Sequence, residues 1–361
     1  MAADSRDEAR PPYARDLTDP PPSVVRDGEF VYGCFNAPPA LVNMLDVRRP
    51  YHYPIPRWTK DARCKEWVAF QFGDGRRFFL AALYEAKSFG LIQFVSWDRD
   101  GGRTIESRRV IPLRRFGLGP VLDGRRVSYR DRHGALGFSF DLSGGSITVE
   151  ASRARSSRGP AYAGSFTFAY NSRQSAPSSV CLPLGLNRAM YSTKVLMPMR
   201  GWFETGGEHV EFDSPECMGV MDDHKGYYPY GMRYDWVTGF GLAGKGRRVG
   251  FNLTDNQVRD QERYNENVLW VNSRVYPLPP IKVTRPNGVD NPWHVQDTEG
   301  LVDLVFVPER KNDLRINLLF ASVDYHGPFG TFSGTLRSPD GSVKVDAEGL
   351  LGMGEQKYLR A

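Results

Sequence analysis

The chain has 361 residues, 40% hydrophobic and 25% charged, which is typical of a globular protein large enough for about two domains. Its 47 basic and 42 acidic residues nearly balance, and a net charge of +5 argues against a nucleic-acid binder. No apolar run approaches the roughly twenty residues of a membrane span, and the first residues lack the apolar core of a signal peptide. We therefore expect a cytoplasmic protein.

The N-terminal segment 1–27 is polar and contains Pro20-Pro21-Pro22, which predicts a disordered or surface-wrapping arm. From Phe30 onward the pattern changes to short apolar or alternating runs that end at Gly, Asp, Asn or Pro. Such runs are typical of β-strands joined by turns. Clear examples in the first half of the chain are 66–72, 77–84, 91–97, 136–142 and 164–170.

A second series of short strands begins near residue 199. It includes 208–212, 233–241, 248–253, 302–307, 314–320 and 330–336. No long window has the 3.6-residue period of a helix. Two sets of strands without intervening helices predict an all-β protein made of two packed antiparallel β-barrels or sandwiches, spanning 28–200 and 201–361.

The most unusual segment concentrates carboxylates, an imidazole, an ammonium group and aromatic rings, in the order Met221-Asp222-Asp223-His224-Lys225-Gly226-Tyr227-Tyr228, with Trp236 shortly after. A carboxylic acid beside apolar rings has a raised pKa and can donate a proton near neutral pH, while a neighbouring His or Lys reloads it. Aromatic faces also stabilise a developing carbocation. The alternative is structural: Asp222 and Asp223 shape a turn, Lys225 pairs with one of them, and the tyrosines pack.

Other candidate groups are fewer. Glu266 and Asn267 come just before Val268-Leu269-Trp270-Val271, so their side chains either point into a cavity mouth or lie in an exposed turn. The cysteines lie far apart, and none of the usual nucleophile, phosphate, zinc or dinucleotide motifs follows a suitable strand. The sequence therefore predicts no metal site and no cofactor.

Five short motifs along the chain together form a recognisable pattern. They are Trp58, Arg63, Lys65 and Glu66-Trp67, then Asp222 with Gly226, then Glu266-Asn267 with Trp270, then Gly300-Val302-Asp303-Leu304-Phe306-Pro308, and finally Gly327-Phe329-Gly330-Phe332-Gly334. As a set they resemble the family catalogued as domain of unknown function 2804. The resemblance covers nearly everything after the N-terminal arm.

That family is similar, more distantly, to the carotenoid hydratases (hydroxyneurosporene synthases) and the tocopherol cyclases, which are built from two lipocalin-like β-barrels. Their signature is Trp-Met-Asp with a Gly four residues after the Asp, which Met221-Asp222 and Gly226 match. Val220 and Lys225 stand where the relatives have Trp, so less aromatic surface remains for a long polyene. The resemblance implies that Asp222 protonates a double bond, so that water or an internal hydroxyl adds to the cation, and that His224 and Tyr228 assist.

Three function classes follow from the sequence. The first is a cofactor-independent hydratase, isomerase or cyclase that acts on a largely apolar small molecule, with Asp222 as proton donor. The second is a carbohydrate-active enzyme in which Asp222 and Glu266 flank a glycosidic bond. The third is a non-catalytic carrier of an apolar ligand. The expected partner is an apolar or sugar-like small molecule, contacted by Asp223, Lys225, Tyr227, Trp236, Glu266, Asn267 and Trp270.

Overall fold

A computed structural model describes residues 13–113, 115–156, 159–318 and 321–360. In these ranges the chain is mostly β-strand, with one short helix, α1 (Arg57–Arg63), and one 3-10 turn (Met44–Asp46). No helix within the described ranges has the length and apolar character needed to cross a membrane. The first two strands, β1 (Val25–Arg26) and β2 (Glu29–Phe30), form a small antiparallel ribbon of their own.

The first large sheet contains 13 strands, and its ladders are antiparallel. They are β3 (Gly33–Phe35), β4 (Lys65–Gly73), β5 (Arg77–Glu85), β6 (Phe89–Asp98), β7 (Arg103–Pro112), β8 (Arg126–Asp131), β9 (Gly134–Asp141), β10 (Ser146–Arg153), β11 (Tyr162–Ala169), β12 (Ser178–Gly185), β13 (Arg188–Thr205), β14 (Glu208–Phe212) and β15 (Met218–Gly226). Their order is β7-β6-β5-β4-β15-β13-β11-β10-β9-β8, with β12 and β14 also paired to the long β13. Strand β15, which carries the acidic segment, is therefore central.

The second large sheet contains 12 strands. They are β16 (Met232–Ala243), β17 (Arg247–Asp255), β18 (Val268–Val271), β19 (Arg274–Pro277), β20 (Ile281–Thr284), β21 (Trp293–Asp297), β22 (Val302–Arg310), β23 (Asp313–Leu318), β24 (Ala321–His326), β25 (Phe329–Arg337), β26 (Lys344–Asp346) and β27 (Leu350–Arg360). Their order is β19-β18-β17-β16-β27-β25-β22-β21-β20, and β24 joins through β27.

The two sheets each curl into a half-barrel and pack against one another, which confirms the predicted all-β, lipocalin-like architecture. The domain limits 28–200 and 201–361 stay a prediction. Because residues 201–226 pair within the first sheet and β16 begins the second at Met232, we propose that the division lies in 227–231.

Part of the predicted N-terminal arm lies against the loop before β18. The Tyr13 hydroxyl donates to the carbonyl of Glu262 at 3.1 Å. The buried Arg15 guanidinium donates to the carbonyls of Asn265 and Asn267 at 2.8 and 2.6 Å. Residues 1–12 of that arm lie outside the described residues. Through Tyr13 and Arg15, this part of the arm contacts a loop of the second sheet.

Apolar side chains form a cluster within each sheet and a further cluster between the sheets. The shared cluster joins Phe78 and Trp97 of the first sheet to Phe240 and Trp270 of the second. Because successive side chains of a strand point to opposite faces, β15 sends Met218 and Val220 into the shared cluster and Met221 into the core of its own sheet. The same alternation decides where the charged residues of β15 point.

Lys65, the first residue of β4, makes the stability of the fold depend on pH. Its buried ammonium donates to the carbonyls of Ala62 and Ala86 at 3.1 and 2.7 Å. Burial, helped by the nearby Arg63 cation, lowers the pKa of Lys65 from 10.5 to about 8. The unfolded chain therefore holds this proton more tightly than the folded chain does, and the folded state is penalised at neutral pH.

We expect the free energy of unfolding, relative to that of Lys65→Met, to rise by about 3 kcal/mol between pH 8 and 10.5 and to be flat below that window. Urea denaturation of both proteins at a series of pH values measures the difference. A stability difference that does not change with pH contradicts the assignment.

Candidate functional site

A cavity of about 120 Å³ lies between the two sheets, next to their shared apolar cluster. Interfaces of this kind are a common position for small-molecule sites. Its charged and aromatic lining comes from both sheets and from the loop before β18: Trp67, Tyr84, Phe89, Lys194, Asp222, His224, Tyr234, Trp236, Glu266, Tyr325, Glu355 and Lys357.

The strand register explains why distant residues meet in this cavity. Asp222 and His224 share the face of β15 that carries Val220, so both point toward the second sheet. On the neighbouring β13, Lys194 is directly opposite Asp222. On β4, Trp67 is directly opposite His224. Cross-strand pairs of this kind bring side chains into contact.

The Lys194 ammonium is the centre of a buried polar cluster. Its Nζ lies 2.7 Å from Asp222 Oδ1, 3.0 Å from Ser192 Oγ and 3.0 Å from His224 Nε2. A fourth acceptor, Glu266 Oε2, lies 3.1 Å away. An ammonium group has three N–H bonds to donate. The four neighbours outnumber the three N–H bonds, and one carboxylate oxygen is left without an aligned hydrogen bond.

That remaining acceptor is Glu266 Oε2. It is buried and forms an ion pair with Lys194 Nζ at 3.1 Å, but no aligned hydrogen bond reaches it, and His224 Nε2 lies 3.7 Å away. Burial favours the protonated form of this carboxyl, but the cationic Lys194 and the adjacent His224 outweigh burial and hold the pKa of Glu266 below its usual range. Burial likewise opposes the charge on Lys194, yet Asp222 and Glu266 raise the pKa of this lysine. Glu266 is therefore an ionised, unsatisfied acceptor at the cavity wall.

Trp67 holds Asp222 and His224 in position. Its indole ring stacks on the His224 imidazole, with centroids 4.2 Å apart and planes 9° from parallel. Its Nε1 donates to Asp222 Oδ2 at 3.3 Å. On the other side of the imidazole, His224 Nδ1 lies 3.1 Å from the Tyr228 hydroxyl, whose pKa burial raises well above its usual value. Both Asp222 oxygens thus have donors, and both His224 nitrogens have partners.

A second polar group of the cavity comes from β27. The hydroxyls of Tyr234 and Tyr325 donate to Glu355 Oε2 and Oε1 at 3.0 and 2.6 Å. Burial raises the pKa of Glu355, and it also raises the pKa of both tyrosines, which therefore keep their protons. Two residues further on, the Lys357 ammonium faces the same cavity.

Within the described ranges, no group of three or more His, Cys, Asp or Glu side chains is arranged to hold a metal ion. Asp222, His224 and Glu355 instead interact with Lys194, Trp67 and the tyrosine hydroxyls.

Comparison with known proteins identifies the family. Residues 16–360 match the family described as domain of unknown function (DUF2804). The chain belongs to the DUF2804 family. This membership confirms the resemblance seen in the sequence motifs. A comparison with curated proteins gives no match.

Solved structures show more distant likeness. A candidate AttH protein of Nitrosomonas europaea has 13% identity and a TM-score of 0.44, with 82% of this chain and 92% of that chain covered. Kievitone hydratase of Nectria haematococca has 10% identity and a TM-score of 0.46, with 81% and 88% covered. CghA has 10% identity and a TM-score of 0.34, with 82% and 88% covered.

In this DUF2804 protein, some of the site residues predicted from the sequence line the cavity and others point away from it. Asp222, His224, Trp236 and Glu266 line the cavity, and Tyr228 reaches it through His224. The turn alternative for Asp222 and Asp223 is wrong, because both lie within strand β15.

Asp223 and Lys225 point into the first sheet instead. Asp223 forms a buried ion pair with Arg125. The Lys225 ammonium donates to Glu66 Oε1 at 2.5 Å and to the carbonyl of Leu118. Both residues therefore stabilise the first sheet on the face that is turned away from the cavity.

The other three predicted contact residues also lie outside the cavity wall. The Tyr227 hydroxyl donates to the Met44 carbonyl at 3.2 Å. The Asn267 amide donates to the Pro279 carbonyl at 2.8 Å, and its oxygen accepts from the Thr254 backbone. Trp270 is fully buried in the shared apolar cluster. Their contacts are those of packed structural groups.

Lys194, Glu355 and Lys357 were absent from the sequence prediction. Lys194 stands within the otherwise uncharged run 189–199, and all but one residue of that run is buried. A single charge in such a run is a usable signal, because a buried lysine needs an acidic partner. Glu355 and Lys357 carry a weaker signal, since they are adjacent same-face residues near the end of a mixed strand.

Proposed function

We propose that this protein is an enzyme that adds, removes or shifts a proton on a small, largely apolar molecule without a cofactor, as a hydratase, isomerase or cyclase does. The observation that carries the proposal is the unsatisfied Glu266 Oε2, which lies beside the same ammonium that serves Asp222. A buried acceptor without a donor costs about 1–3 kcal/mol, and a ligand O–H supplies the missing donor.

The two carboxylates take different roles in this proposal. Asp222 is the proton donor: a proton on Lys194 or His224 reaches its Oδ1 across 2.7 or 3.3 Å, and Asp222 passes it to a substrate double bond. Glu266 is the base, because its free oxygen accepts the proton of the water or hydroxyl that adds to the resulting cation. Asp222 gives one proton to the substrate and Glu266 takes one from the water or hydroxyl. Transfer of that proton back through Lys194 and His224 returns the site to its starting state.

The cavity size supports a compact substrate. Its volume is about 120 Å³, and an engineered apolar cavity of about 150 Å³ binds benzene. Apart from the groups described above, the walls are mainly apolar and aromatic, with the neutral polar side chains of Gln71, Gln93, Thr254 and Asn256. The enclosed part of the cavity is therefore of the order of one ring, which favours a compact substrate over a long polyene.

The two other function classes have less support. A glycosidase needs open space between its two carboxylates for the sugar or for water, but here Lys194 stands between Asp222 and Glu266 and contacts both. A simple carrier of an apolar ligand gains nothing from six acidic and basic side chains in the cavity wall, because their desolvation is costly. Proton transfer uses four of them, Asp222, Glu266, Lys194 and His224.

We expect Asp222→Asn to keep the fold and to lower turnover by at least about 100-fold, because the amide cannot pass on a proton. The enzyme is incubated with a small-molecule extract of its own cells, and mass spectrometry follows compounds that disappear. A product heavier by one water indicates hydration, and an isomeric product that takes up one deuterium from heavy water indicates isomerisation or cyclisation.

Asp303→Asn is the matched control for this experiment, because Asp303 is an exposed residue of β22. It should turn over the same compound at the wild-type rate. Full activity in a folded Asp222→Asn variant removes Asp222 from the mechanism.

A further inference from the structure

Lys357 is a charged group of the cavity for which the proposed mechanism has no use. Its side chain faces the cavity from β27. Among the described residues, no carboxylate lies within ion-pair distance of its Nζ, and no hydrogen bond from it is present. The nearest acid on the same strand face, Glu355, is already occupied by two tyrosine hydroxyls.

Aromatic rings surround this lysine instead. Its Nζ lies 5.4 Å from the centroid of Trp67, 5.1 Å from that of Tyr84 and 5.4 Å from that of Tyr234. Burial lowers the pKa of Lys357, and the charges of Glu355 and Asp222 offset this only in part. The ring faces favour the charged ammonium, so burial alone raises the neutral fraction of Lys357, and the neutral amine is the nucleophilic form.

Glu355 gives the lysine an acid on the same face of the same strand. Burial raises the pKa of Glu355, so its protonated form is accessible closer to neutral pH than for an ordinary carboxyl. The hydroxyls of Tyr234 and Tyr325 fix both of its oxygens. An amine and a positioned acid at the wall of an apolar cavity are the groups that condensation with a carbonyl requires.

We propose that Lys357 is a carbonyl-capturing residue that forms a protonated imine with an aldehyde or ketone substrate. This inference rests on the proposed function and narrows it to a substrate class: ring-sized molecules that carry an aldehyde or ketone, conjugated to the double bond that the site hydrates or shifts.

The chemistry balances within the cavity. The neutral Nζ attacks the carbonyl carbon, a C–N bond forms, and the carbonyl oxygen takes a proton from Glu355. The resulting carbinolamine loses its hydroxyl as water, using the proton released from nitrogen, and leaves a C=N bond to Lys357. The Glu355 carboxylate balances the charge of the protonated imine. Hydrolysis by the reverse steps returns the carbonyl compound, the amine and the acid.

A protonated imine also serves the proton-transfer centre. It withdraws electrons from a conjugated double bond, so water deprotonated by Glu266 adds to the far carbon. The near carbon then takes its proton from Asp222, so for a conjugated imine the two steps occur in the reverse of the order given above for an unconjugated double bond. The carbonyl end and the double-bond end of one small molecule thus use the two polar groups of the cavity.

Borohydride trapping tests this inference directly. The whole protein is incubated with cinnamaldehyde, a one-ring conjugated aldehyde, and the imine is reduced with sodium borohydride. Intact-mass and peptide-mapping mass spectrometry should find one reduced adduct, located at Lys357. Lys357→Arg should lose it. Lys282→Arg should keep it, because Lys282 is an exposed lysine, 70% accessible and paired with Asp255.

Glu355→Gln should slow trapping by about 100-fold while circular dichroism and melting temperature stay close to the wild type. Adducts spread over surface lysines without preference for Lys357, or unchanged labelling in Lys357→Arg, overturn the inference.

Asp222→Asn separates the two proposals. It should be trapped at least as fast as the wild type, because the imine forms without Asp222 and loss of its charge favours the neutral amine. If Lys357 is labelled while Asp222→Asn retains turnover, the proton-transfer proposal fails and carbonyl capture stands. If Asp222→Asn loses turnover but Lys357 is never labelled, the reverse holds.

Discussion

Replacing Lys194 with Met should lower the free energy of unfolding by about 3–5 kcal/mol and abolish turnover. The ammonium contacts both Asp222 and Glu266, and the imidazole of His224, which also lies near both, is a cation only when it is protonated. These carboxylates are 10% and 6% exposed, so water cannot replace the lost partner. Removal of one member of a buried ionic cluster leaves uncompensated charge, which costs more than the intact cluster contributes.

A variant that also removes the two unpaired carboxylate charges tests this prediction. Urea denaturation measures the stability of Lys194→Met and of the triple variant that also carries Asp222→Asn and Glu266→Gln. The triple variant should recover most of the lost stability, because the unpaired charges are gone, and it should remain inactive. If Lys194→Met is as stable as the wild type, the ion pairs of the cluster are not formed in solution.

The ion pairs of Lys194 stabilise the fold only over a limited range of pH. The folded pKa of Glu266 lies below its unfolded value of 4.5, so its stabilising contribution is present above that value and is lost as the pH falls further. The folded pKa of Lys194 lies above 10.5, so its contribution is present below that value and is lost as the pH rises through the folded pKa. The stability gap between wild type and Lys194→Met should therefore shrink in acid and in strong alkali.

The overall architecture was predictable because most strands obey a local rule. Alternating runs such as 136–142 and 164–170 place one face on a core, and Gly, Asp and Asn mark their ends. Strand β15 breaks this rule, since all its residues are buried and the polar ones are consecutive. Its charges are balanced from other strands and loops, so no local pattern identifies the segment 218–226 as a strand.

The partners of β15 lie far away in the sequence. Lys194 is 28 residues from Asp222, Arg125 is 98 residues from Asp223, and Glu66 is 159 residues from Lys225. Only the sheet order brings them together. In a strand, side chains alternate between two faces, so Asp222 and His224 face the cavity while Asp223 and Lys225 face the first sheet. The sequence prediction did not identify β15 as a strand and therefore did not separate these residues.

Arg125→Met should also cost about 3–5 kcal/mol of stability, but without direct loss of the cavity chemistry. Arg125 and Asp223 form an ion pair that is 4% and 1% exposed, on the face of β15 opposite to Asp222. The guanidinium also lies 4.6 Å from the centroid of the Phe140 ring. Its removal leaves the Asp223 carboxylate buried among apolar side chains of the first sheet.

Urea denaturation and turnover, both measured well below the melting temperature of the variant, test this separation. Arg125→Met together with Asp223→Leu should recover stability, because both charges are then absent. A folded Arg125→Met variant with strongly reduced turnover would mean that the two faces of β15 are coupled.

Combining Arg125→Met with Lys194→Met tests the same point thermodynamically. The two clusters share no hydrogen-bonding partner and lie on opposite faces of one strand, so their stability effects should add within about 0.5 kcal/mol. Activity should follow Lys194 alone. Adjacent residues 222 and 223 then belong to separate functions of the molecule, proton transfer between the sheets and stability within the first sheet, although the sequence presents them as one acidic pair.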